Sequence, residues 1–205
     1  MNIYLFGKTS LSGEAFLKYF NFQKSKYKIH YFSRYENKSY KIDLKKPDSF
    51  SLINNEDFII ISFAPIWNLA YFLNYLFYKE NAKLKKLKGI ITCSSTSALT
   101  KRFDFNSYDK KLAKNLLISE AKIISIAKKL NINCQIIRPT MIYGSFNEIK
   151  DNNISKILLI MRHLKIIFLP SNPGLRQPIH SYQLAEVVYF LMLKSIKAKT
   201  IVSNN

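Results

Sequence analysis

Residues 89–144 decide the fold, and they read GIITCSSTSALTKRFDFNSYDKKLAKNLLISEAKIISIAKKLNINCQIIRPTMIYG. An apolar run at residues 90–93 ends at the hydroxyl-rich residues 94–97. A stretch with helical spacing follows, and a second apolar run at residues 134–137 then ends at Arg138-Pro139-Thr140. Two apolar runs of strand length separated by a helix are typical of a parallel βαβ unit. Because ligands of open parallel sheets bind outside the carboxyl ends of the strands, these two polar segments are the first candidates for a functional site.

Three motifs together resemble those of a known family: SSTS at residues 94–97, IIRPTMIYG at 136–144 and GLRQPIHSYQLAE at 174–186. They are similar to the extended and atypical short-chain dehydrogenase/reductases, and more narrowly to the NAD-dependent epimerase/dehydratase family that acts on nucleotide sugars. The resemblance implies an α/β fold, a Rossmann-like doubly wound parallel sheet with a small carboxyl-terminal appendage. We expect residues 1–205 to form a single NAD(P)-binding domain, with roughly residues 145–205 contributing a reduced substrate-side region.

The amino-terminal segment predicts the site for the cofactor's pyrophosphate. An apolar strand at residues 2–6 precedes GKTSLSG at residues 7–13, and an amphipathic helix is predicted at 14–20. The family's spacing is Gly-x-x-Gly-x-x-Gly, and a serine stands here where the middle glycine is expected. An ordinary strand-to-helix turn is the alternative interpretation. The cofactor-binding residues predicted in this segment are Gly7, Ser10, Leu11 and Gly13.

The second and third strands predict contacts to the adenosine half of the cofactor. The second strand, predicted at residues 27–32, is followed by Arg34. An arginine at this place accommodates the 2′-phosphate, so it favours NADP over NAD, although a solvated arginine is an equal alternative. The third strand is predicted at residues 41–44, and the resemblance assigns Asp43 to the adenine amino group.

Further cofactor contacts are implied where later strands end. The resemblance places Ala64 and Pro65, after a strand predicted at residues 58–63, against the central part of the cofactor. It places Pro139 in the loop that lines the nicotinamide and substrate pocket. The predicted cofactor is therefore NADP or NAD.

The family's proton-transfer pair is missing. Relatives carry Tyr-x-x-x-Lys on the helix after the Ser/Thr strand end, and this i,i+4 spacing puts both groups on one helix face. Counting back from Arg138 in the family's register aligns Glu120 with the glutamate that follows the lysine, and it places Leu112 and Leu116 at the tyrosine and lysine positions. Since leucine cannot transfer a proton, we expect weak or absent catalysis of the usual kind.

The substrate-side candidates come from the polar strand ends and the last motif. Thr96 matches the family's catalytic Ser/Thr and is the catalytic candidate, although an unassisted hydroxyl is a poor base. Arg176 is the leading substrate contact, because a guanidinium suits a diphosphate. Arg138 is interpreted equally well as a structural ion-pair former, and His180 as a structural residue. The predicted substrate-binding residues are Ser95, Thr96, Arg138, Thr140, Tyr143 and Arg176.

The composition is strongly basic, with 32 Lys and Arg against 13 Asp and Glu and a formal net charge of +19. Such an excess is compatible with a nucleic-acid or anionic-membrane partner. The lysines are scattered and no nucleic-acid-binding motif accompanies them, so we favour a compositional bias. A basic amphipathic helix predicted at Ile154–Leu164 could lie on a membrane; we favour a substrate-region helix with one packed face.

Other features of the sequence exclude further classes of site. Cys93 and Cys134 are expected to be buried thiols, with a disulfide not favoured, and no Cys/His cluster has metal-ligand spacing. Residues 58–78 are uncharged over 21 positions, but Pro65 and two asparagines favour a buried strand and a helix over a membrane span. The amino terminus lacks the features of a signal peptide, so we expect a cytoplasmic protein.

The leading functional prediction is an NAD(P)-binding protein, either an oxidoreductase or an epimerase, that acts weakly or not at all on a nucleotide sugar. The alternative is a non-catalytic Rossmann module that senses cofactor or supports an assembly, and a nucleic-acid binder is a third. The predicted partners are a small nucleotide-sugar-like ligand, no specific nucleic acid, a weak contact with anionic membranes and a homodimer.

Overall fold

The computed structural model describes residues 1–34, 40–146, 149–151, 154–165 and 177–202, with side chains as far as residue 197. Six parallel strands form the main sheet in the order β3-β2-β1-β4-β5-β6. The strands are β1 (Asn2–Phe6), β2 (Lys28–Ser33), β3 (Tyr40–Lys41), β4 (Phe58–Ser62), β5 (Leu87–Cys93) and β6 (Asn133–Ile137). Because the order reverses between β1 and β4, the sheet has a topological switch point there. The predicted doubly wound parallel sheet is confirmed.

Helices cover both faces of the sheet. They are α1 (Leu11–Phe22), α2 (Ile66–Lys79), α3 (Ser97–Thr100), α4 (Ser107–Lys129), α5 (Ile154–Leu164) and α6 (Ser181–Val202), with 3₁₀ turns at Pro47–Ser49 and Asn81–Leu84. Of these, α1 and α6 lie on one face of the sheet, and α2 and α4 lie on the other. Short strands follow the main sheet: β7 (Ile142–Tyr143) pairs with β10 (Ile179–His180), and β8 (Ser145–Phe146) pairs with β9 (Ile149–Lys150).

Two apolar cores hold the layers together. Successive side chains of a strand point to opposite faces, so Ile3 and Leu5 of β1 pack with α1 and α6, whereas Tyr4 and Phe6 pack with α2 and α4. All four side chains are at most 1% exposed. A strand buried on both faces reads as a continuous apolar run, which is why β1 and β4 show no polar alternation.

Several predicted boundaries shift in the structure. The helix expected at residues 14–20 begins at Leu11 instead, because the Ser10 side chain caps it. The third strand ends at Lys41, so Asp43 follows the strand rather than belonging to it. The uncharged stretch at residues 58–78 divides into β4 and α2, as predicted. Within the described ranges, no helix is both long and apolar enough to cross a membrane.

The prediction that α5 packs one face against the domain is wrong. Its bounds, Ile154–Leu164, are those expected, yet none of its residues is buried.

The two cysteines are free thiols. In the β5–β6 register, Cys93 is paired with Ile137 and Cys134 with Ile90. The two cysteines are therefore offset by three residues along neighbouring strands, which is too far for a disulfide.

Candidate functional site

A crevice runs along the carboxyl edge of the sheet, across the switch point. One part has a volume of about 230 Å³ and lies at the ends of β1, β2 and β4. The other part, of about 650 Å³, lies at the ends of β4 and β5 and reaches helix α4. Ser10, Phe63, Ala64 and Pro65 line both parts, so the two are adjacent. This is the place where doubly wound sheets bind dinucleotides.

The turn between β1 and α1 requires glycine at two positions. Gly7 has φ +78°, and a Cβ there would lie 2.5 Å from the backbone nitrogen of Ala64. A Cβ on Gly13 would lie 2.2 Å from the carbonyl oxygen of Gly7. Both distances are shorter than van der Waals contact, so these glycines allow α1 to pack closely on the strand end. They stand where the dinucleotide fingerprint has its first and third glycines.

Ser10 replaces the middle glycine and uses its hydroxyl to close the turn. The hydroxyl donates to the Gly7 carbonyl at 2.8 Å and accepts from the Gly13 backbone N–H at 3.1 Å, so Ser10 is the N-cap of α1. Leu11 and Ser12, in the first turn, line the larger cavity. Backbone N–H groups of a first helical turn have no acceptor within the helix and attract anions. The turn therefore retains groups that suit a pyrophosphate despite the lost glycine.

The smaller cavity brings together the residues predicted for adenosine. Arg34 and Asp43 both line it, opposite Gly7 and Pro65. The Asp43 carboxylate accepts a hydrogen bond from the Lys45 backbone N–H at 3.0 Å, which holds the aspartate in a tight turn after β3. The lining is otherwise largely apolar, with Phe6, Phe32, Ile42 and Leu44. A flat aromatic ring fits this apolar lining, with Arg34 and Asp43 at its border.

The larger cavity is lined by the two leucines that the sequence places at the positions of the missing pair. Leu112 and Leu116, one turn apart on α4, both line it, across from Ser94 and Ser95 at the end of β5. The helix face that would carry a proton donor is therefore apolar in the described structure. Cys93 also lines this cavity, and burial raises the pKa of its thiol to about 12, so it is not a nucleophile at neutral pH.

Arg138 forms a structural ion pair, which was one of its two predicted roles. Its Nε lies 3.0 Å from Oε1 of Glu120 and its Nη2 lies 2.5 Å from Oε2. The Glu120 side chain is 3% exposed. Burial raises the pKa of this carboxyl, but the hydrogen bonds and the positive charge of Arg138 outweigh burial, and the net pKa is lowered. The pair joins the end of β6 to the middle of α4, directly behind the crevice.

Several predicted contacts lie away from the crevice. The Thr96 hydroxyl donates to the Pro139 carbonyl at 3.4 Å, so it braces the loop, and neither residue lines the two cavities. The Thr140 hydroxyl donates to the Gln177 carbonyl, and the Tyr143 ring packs edge-on against His180 at 5.1 Å. Arg176 lies outside the described residues.

The structure adds crevice residues that sequence reasoning missed. These are Ser12, Trp67, Ser94, Ile142, Lys150 and Asp151. Asp151 is buried, and its carboxylate accepts hydrogen bonds from the Ser155 backbone N–H at 3.0 Å and from the Ser155 hydroxyl at 2.6 Å. An acid shortly before a predicted helix is a capping signal, and this signal in the sequence points to Asp151.

Among the described residues, no group of three His, Cys, Asp or Glu side chains could hold a metal ion.

Solved structures with the same fold include an epimerase, a dehydratase and a synthetase, two of them with a nicotinamide cofactor bound. UDP-N-acetylglucosamine 4-epimerase from Bacillus cereus has a TM-score of 0.66 and 16% identity, over 93% of this chain and 71% of that one. dTDP-glucose 4,6-dehydratase from Bacillus anthracis, in complex with NAD, has a TM-score of 0.66 and 15% identity, over 95% and 72%. A GDP-L-fucose synthetase from Naegleria fowleri, bound to NADP, has a TM-score of 0.62 and 15% identity, over 93% and 72%.

No family model matches the sequence, and no curated protein matches it. The structural likeness at this low identity is a likeness of fold. The chain therefore has the Rossmann-like fold of the NAD(P)-dependent epimerases and dehydratases, as the strand-end motifs predicted.

Proposed function

We propose that the chain binds a nicotinamide dinucleotide in the crevice, with the pyrophosphate at the first turn of α1. The observation that carries this proposal is the position of two adjacent cavities at the switch point, bordered by Gly7, Ser10 and the first turn of α1. A dinucleotide needs two such neighbouring spaces, because its two nucleotides lie on either side of the reversal in strand order. Solved proteins of the same fold hold NAD or NADP.

Each part of the cofactor would meet a different group of side chains. Arg34 and Asp43 would hold the adenosine end, and Arg34 favours the 2′-phosphate of NADP. Ala64 and Pro65 border the middle of the crevice. The nicotinamide would lie in the larger cavity, beside Leu112 and Leu116. The residues present therefore fit the group.

The chemistry of the larger cavity favours binding over rapid turnover. A bound nicotinamide supplies a hydride donor or acceptor. On the β5 and α4 sides of the cavity, the groups are the hydroxyls of Ser94 and Ser95, which can hold a carbonyl oxygen, and two leucines, which cannot move a proton. Efficient reduction of a carbonyl requires both hydride and proton transfer. We therefore expect a cofactor-binding protein with little or no classical catalysis.

The predicted second ligand is nucleotide-sugar-like. Ser95 borders the cavity in which its sugar would lie. Of the two arginines predicted to contact it, Arg138 is engaged by Glu120, which weakens its claim as a diphosphate ligand. If turnover occurs, the reaction is hydride transfer at a sugar carbon, with a proton supplied by another group.

The second candidate function is a non-catalytic module that senses cofactor or supports an assembly. One observation favours it specifically: Leu112 and Leu116 occupy the cavity face where proton transfer would take place. The two candidates share the cofactor site and differ in turnover. The same purified protein can therefore test both.

The single tryptophan provides the readout for cofactor binding. Trp67 lines the larger cavity, so a bound nicotinamide ring should accept energy from it. We expect saturable quenching of Trp67 and sensitised emission from NADPH, with weaker binding of NADH. Arg34→Ala should remove the preference for NADPH, and Lys41→Ala, at the end of β3 and outside the cavity lining, is the control. Absence of binding of both cofactors at millimolar concentration would refute the proposal.

Turnover is measured separately. UDP- and dTDP-4-keto sugars are mixed with NADPH and enzyme, and the loss of reduced-cofactor absorbance is followed. Binding without turnover supports the non-catalytic module. Rapid turnover supports an oxidoreductase that uses an acid other than the usual tyrosine.

A further inference from the structure

Helix α5 exposes an apolar surface that is unusual in the described structure. Six large apolar side chains in this eleven-residue helix are between 40% and 61% exposed, namely Ile157, Leu158, Leu159, Ile160, Met161 and Leu164. By contrast, the 23-residue α4 has three exposed large hydrophobic side chains, Tyr108, Ile118 and Ile124. An apolar surface of this kind on a folded chain marks an interaction site.

The apolar side chains of α5 are arranged along one face. Ile154, Ile157, Leu158, Met161 and Leu164 follow the spacing of an amphipathic helix. Ile160 extends this surface at one side, whereas Leu159 lies on the opposite side of the helix. We call the set of six side chains, Ile154, Ile157, Leu158, Ile160, Met161 and Leu164, the α5 apolar face. It is wholly aliphatic or thioether and contains no aromatic ring.

The charged residues around the α5 apolar face have one sign. Lys156, Arg162 and Lys165 are exposed, and residues 154–165 contain no Asp or Glu. The nearest acid on this side, Asp151, is buried and bonded to Ser155. Long basic side chains can keep their charges in water while their aliphatic stems lie along an apolar surface. The helix thus combines an apolar face with a purely basic border.

We propose that α5 docks this protein onto an anionic lipid surface, with the α5 apolar face inserted at the boundary between headgroups and acyl chains. An amphipathic helix that is rich in Lys and Arg and free of acids is suited to that boundary. The net charge of +19 adds long-range attraction to a negatively charged surface. This inference goes beyond cofactor binding and does not depend on it.

Other occupants fit the helix less well. A second copy packing α5 against α5 would bring the basic residues of two helices together, which like-charge repulsion opposes. Nucleic-acid surfaces are read mainly through phosphate and polar base edges, which an aliphatic face cannot satisfy. Protein interfaces are enriched in Tyr, Trp and Arg at their centres, whereas the α5 apolar face has no aromatic side chain.

The test uses the full chain and vesicles of phosphatidylcholine, with or without phosphatidylglycerol, in a sedimentation assay. We expect binding to the vesicles that contain phosphatidylglycerol, little binding to pure phosphatidylcholine, and weaker binding at high salt. Leu158→Glu/Met161→Glu should lower the affinity by about tenfold or more, because it places charge in the inserted face. Lys156→Gln/Arg162→Gln should lower it by about fivefold per residue.

The matched control is Val187→Glu/Phe190→Glu, which adds the same charge at exposed apolar positions of α6. Its affinity for the vesicles should stay within about twofold of that of the unchanged protein, after correction for the change in net charge. Circular dichroism melting checks that each variant folds, and the Lys156/Arg162 variant keeps the test valid if the glutamate variant does not. The proposal is overturned if the unchanged protein does not bind anionic vesicles, or if the control loses as much affinity as Leu158→Glu/Met161→Glu. Dimers that dissociate only in the α5 variant would instead show self-association.

Discussion

Arg138 and Glu120 form a two-point ion pair that ties the end of β6 to the middle of α4, with nitrogen–oxygen distances of 3.0 and 2.5 Å. The pair lies one helical turn beyond Leu116, which lines the crevice. It therefore holds in place the helix face beside which the nicotinamide would lie. The arginine is a positioning residue in this arrangement.

We expect Glu120→Gln to destabilise the fold by about 2 kcal/mol at neutral pH, because it leaves the guanidinium without its carboxylate partner. The folded-state pKa of Glu120 is lowered overall, since the hydrogen bonds and the positive charge of Arg138 outweigh burial. Its contribution is therefore complete above the ordinary carboxyl pKa of about 4.3 and is lost as pH falls through the lower folded value. Urea unfolding at neutral and acidic pH measures both effects.

The control for this prediction is Glu80→Gln, which removes an i,i+3 pair with Lys83 on the surface. It should cost less than about 1 kcal/mol. Equal stability losses in the two variants, or a Glu120→Gln effect that does not shrink at low pH, would contradict the account.

We expect Ser10 to stabilise helix α1 and to weaken cofactor binding, compared with a glycine at the same position. Ser10→Ala removes the hydroxyl that caps α1 and should cost about 1 kcal/mol of unfolding free energy, while Ser10→Gly should cost only a few tenths. Ser10→Gly also restores the fingerprint's middle glycine, so we expect it to bind NADPH more tightly than the unchanged protein. Thermal melts and Trp67 fluorescence give the two readouts. Weaker NADPH binding in Ser10→Gly would mean that the hydroxyl itself contributes to the site.

Gly13 should tolerate no side chain. Gly13→Ala would place a methyl group 2.2 Å from the Gly7 carbonyl oxygen, so α1 must move away from β1. We expect a loss of about 3 kcal/mol of unfolding free energy, with cofactor binding lost as well. Gly89→Ala is the control, because its nearest atoms would be 3.5 Å or more away. That variant should be as stable as the unchanged protein or gain about 0.5 kcal/mol, and urea titrations compare the two.

Restoring the proton-transfer pair should raise turnover. Leu112→Tyr/Leu116→Lys places a phenol and an ammonium one turn apart on the cavity face of α4. We expect NADPH oxidation with a 4-keto sugar to appear or increase, at a cost of about 3 kcal/mol of stability, because Leu116 is buried. Leu112→Phe/Leu116→Met keeps similar side-chain volumes without a proton donor and should stay inactive. Equal rates in the two variants would show that the leucines do not limit the chemistry.

The site was predicted in part. Gly7 and Ser10 of the glycine turn, together with Arg34 and Asp43, lie at the crevice because they follow the ends of parallel strands, and a parallel sheet brings these ends to one edge. The hydroxyl cluster was located, but the prediction chose Ser95 and Thr96, whereas Ser94 and Ser95 line the cavity. Four consecutive hydroxyl residues look alike in sequence, and the direction of each depends on the backbone path after the strand. That path is set by bonds to the distant Pro139 carbonyl.

The sequence alone determined the main elements of this protein. Continuous apolar runs produce strands buried on both faces, glycines at 7 and 13 permit the close turn, and helical spacing over α4 sets the leucines on one face. These features depend on local geometry and on burial, which the order of residues records. Tertiary structure decided the rest. Glu120 takes Arg138 as its partner, and α5 stays unpacked although its pattern also suits a packed helix, because pairing and burial depend on which distant surfaces the folded chain brings together.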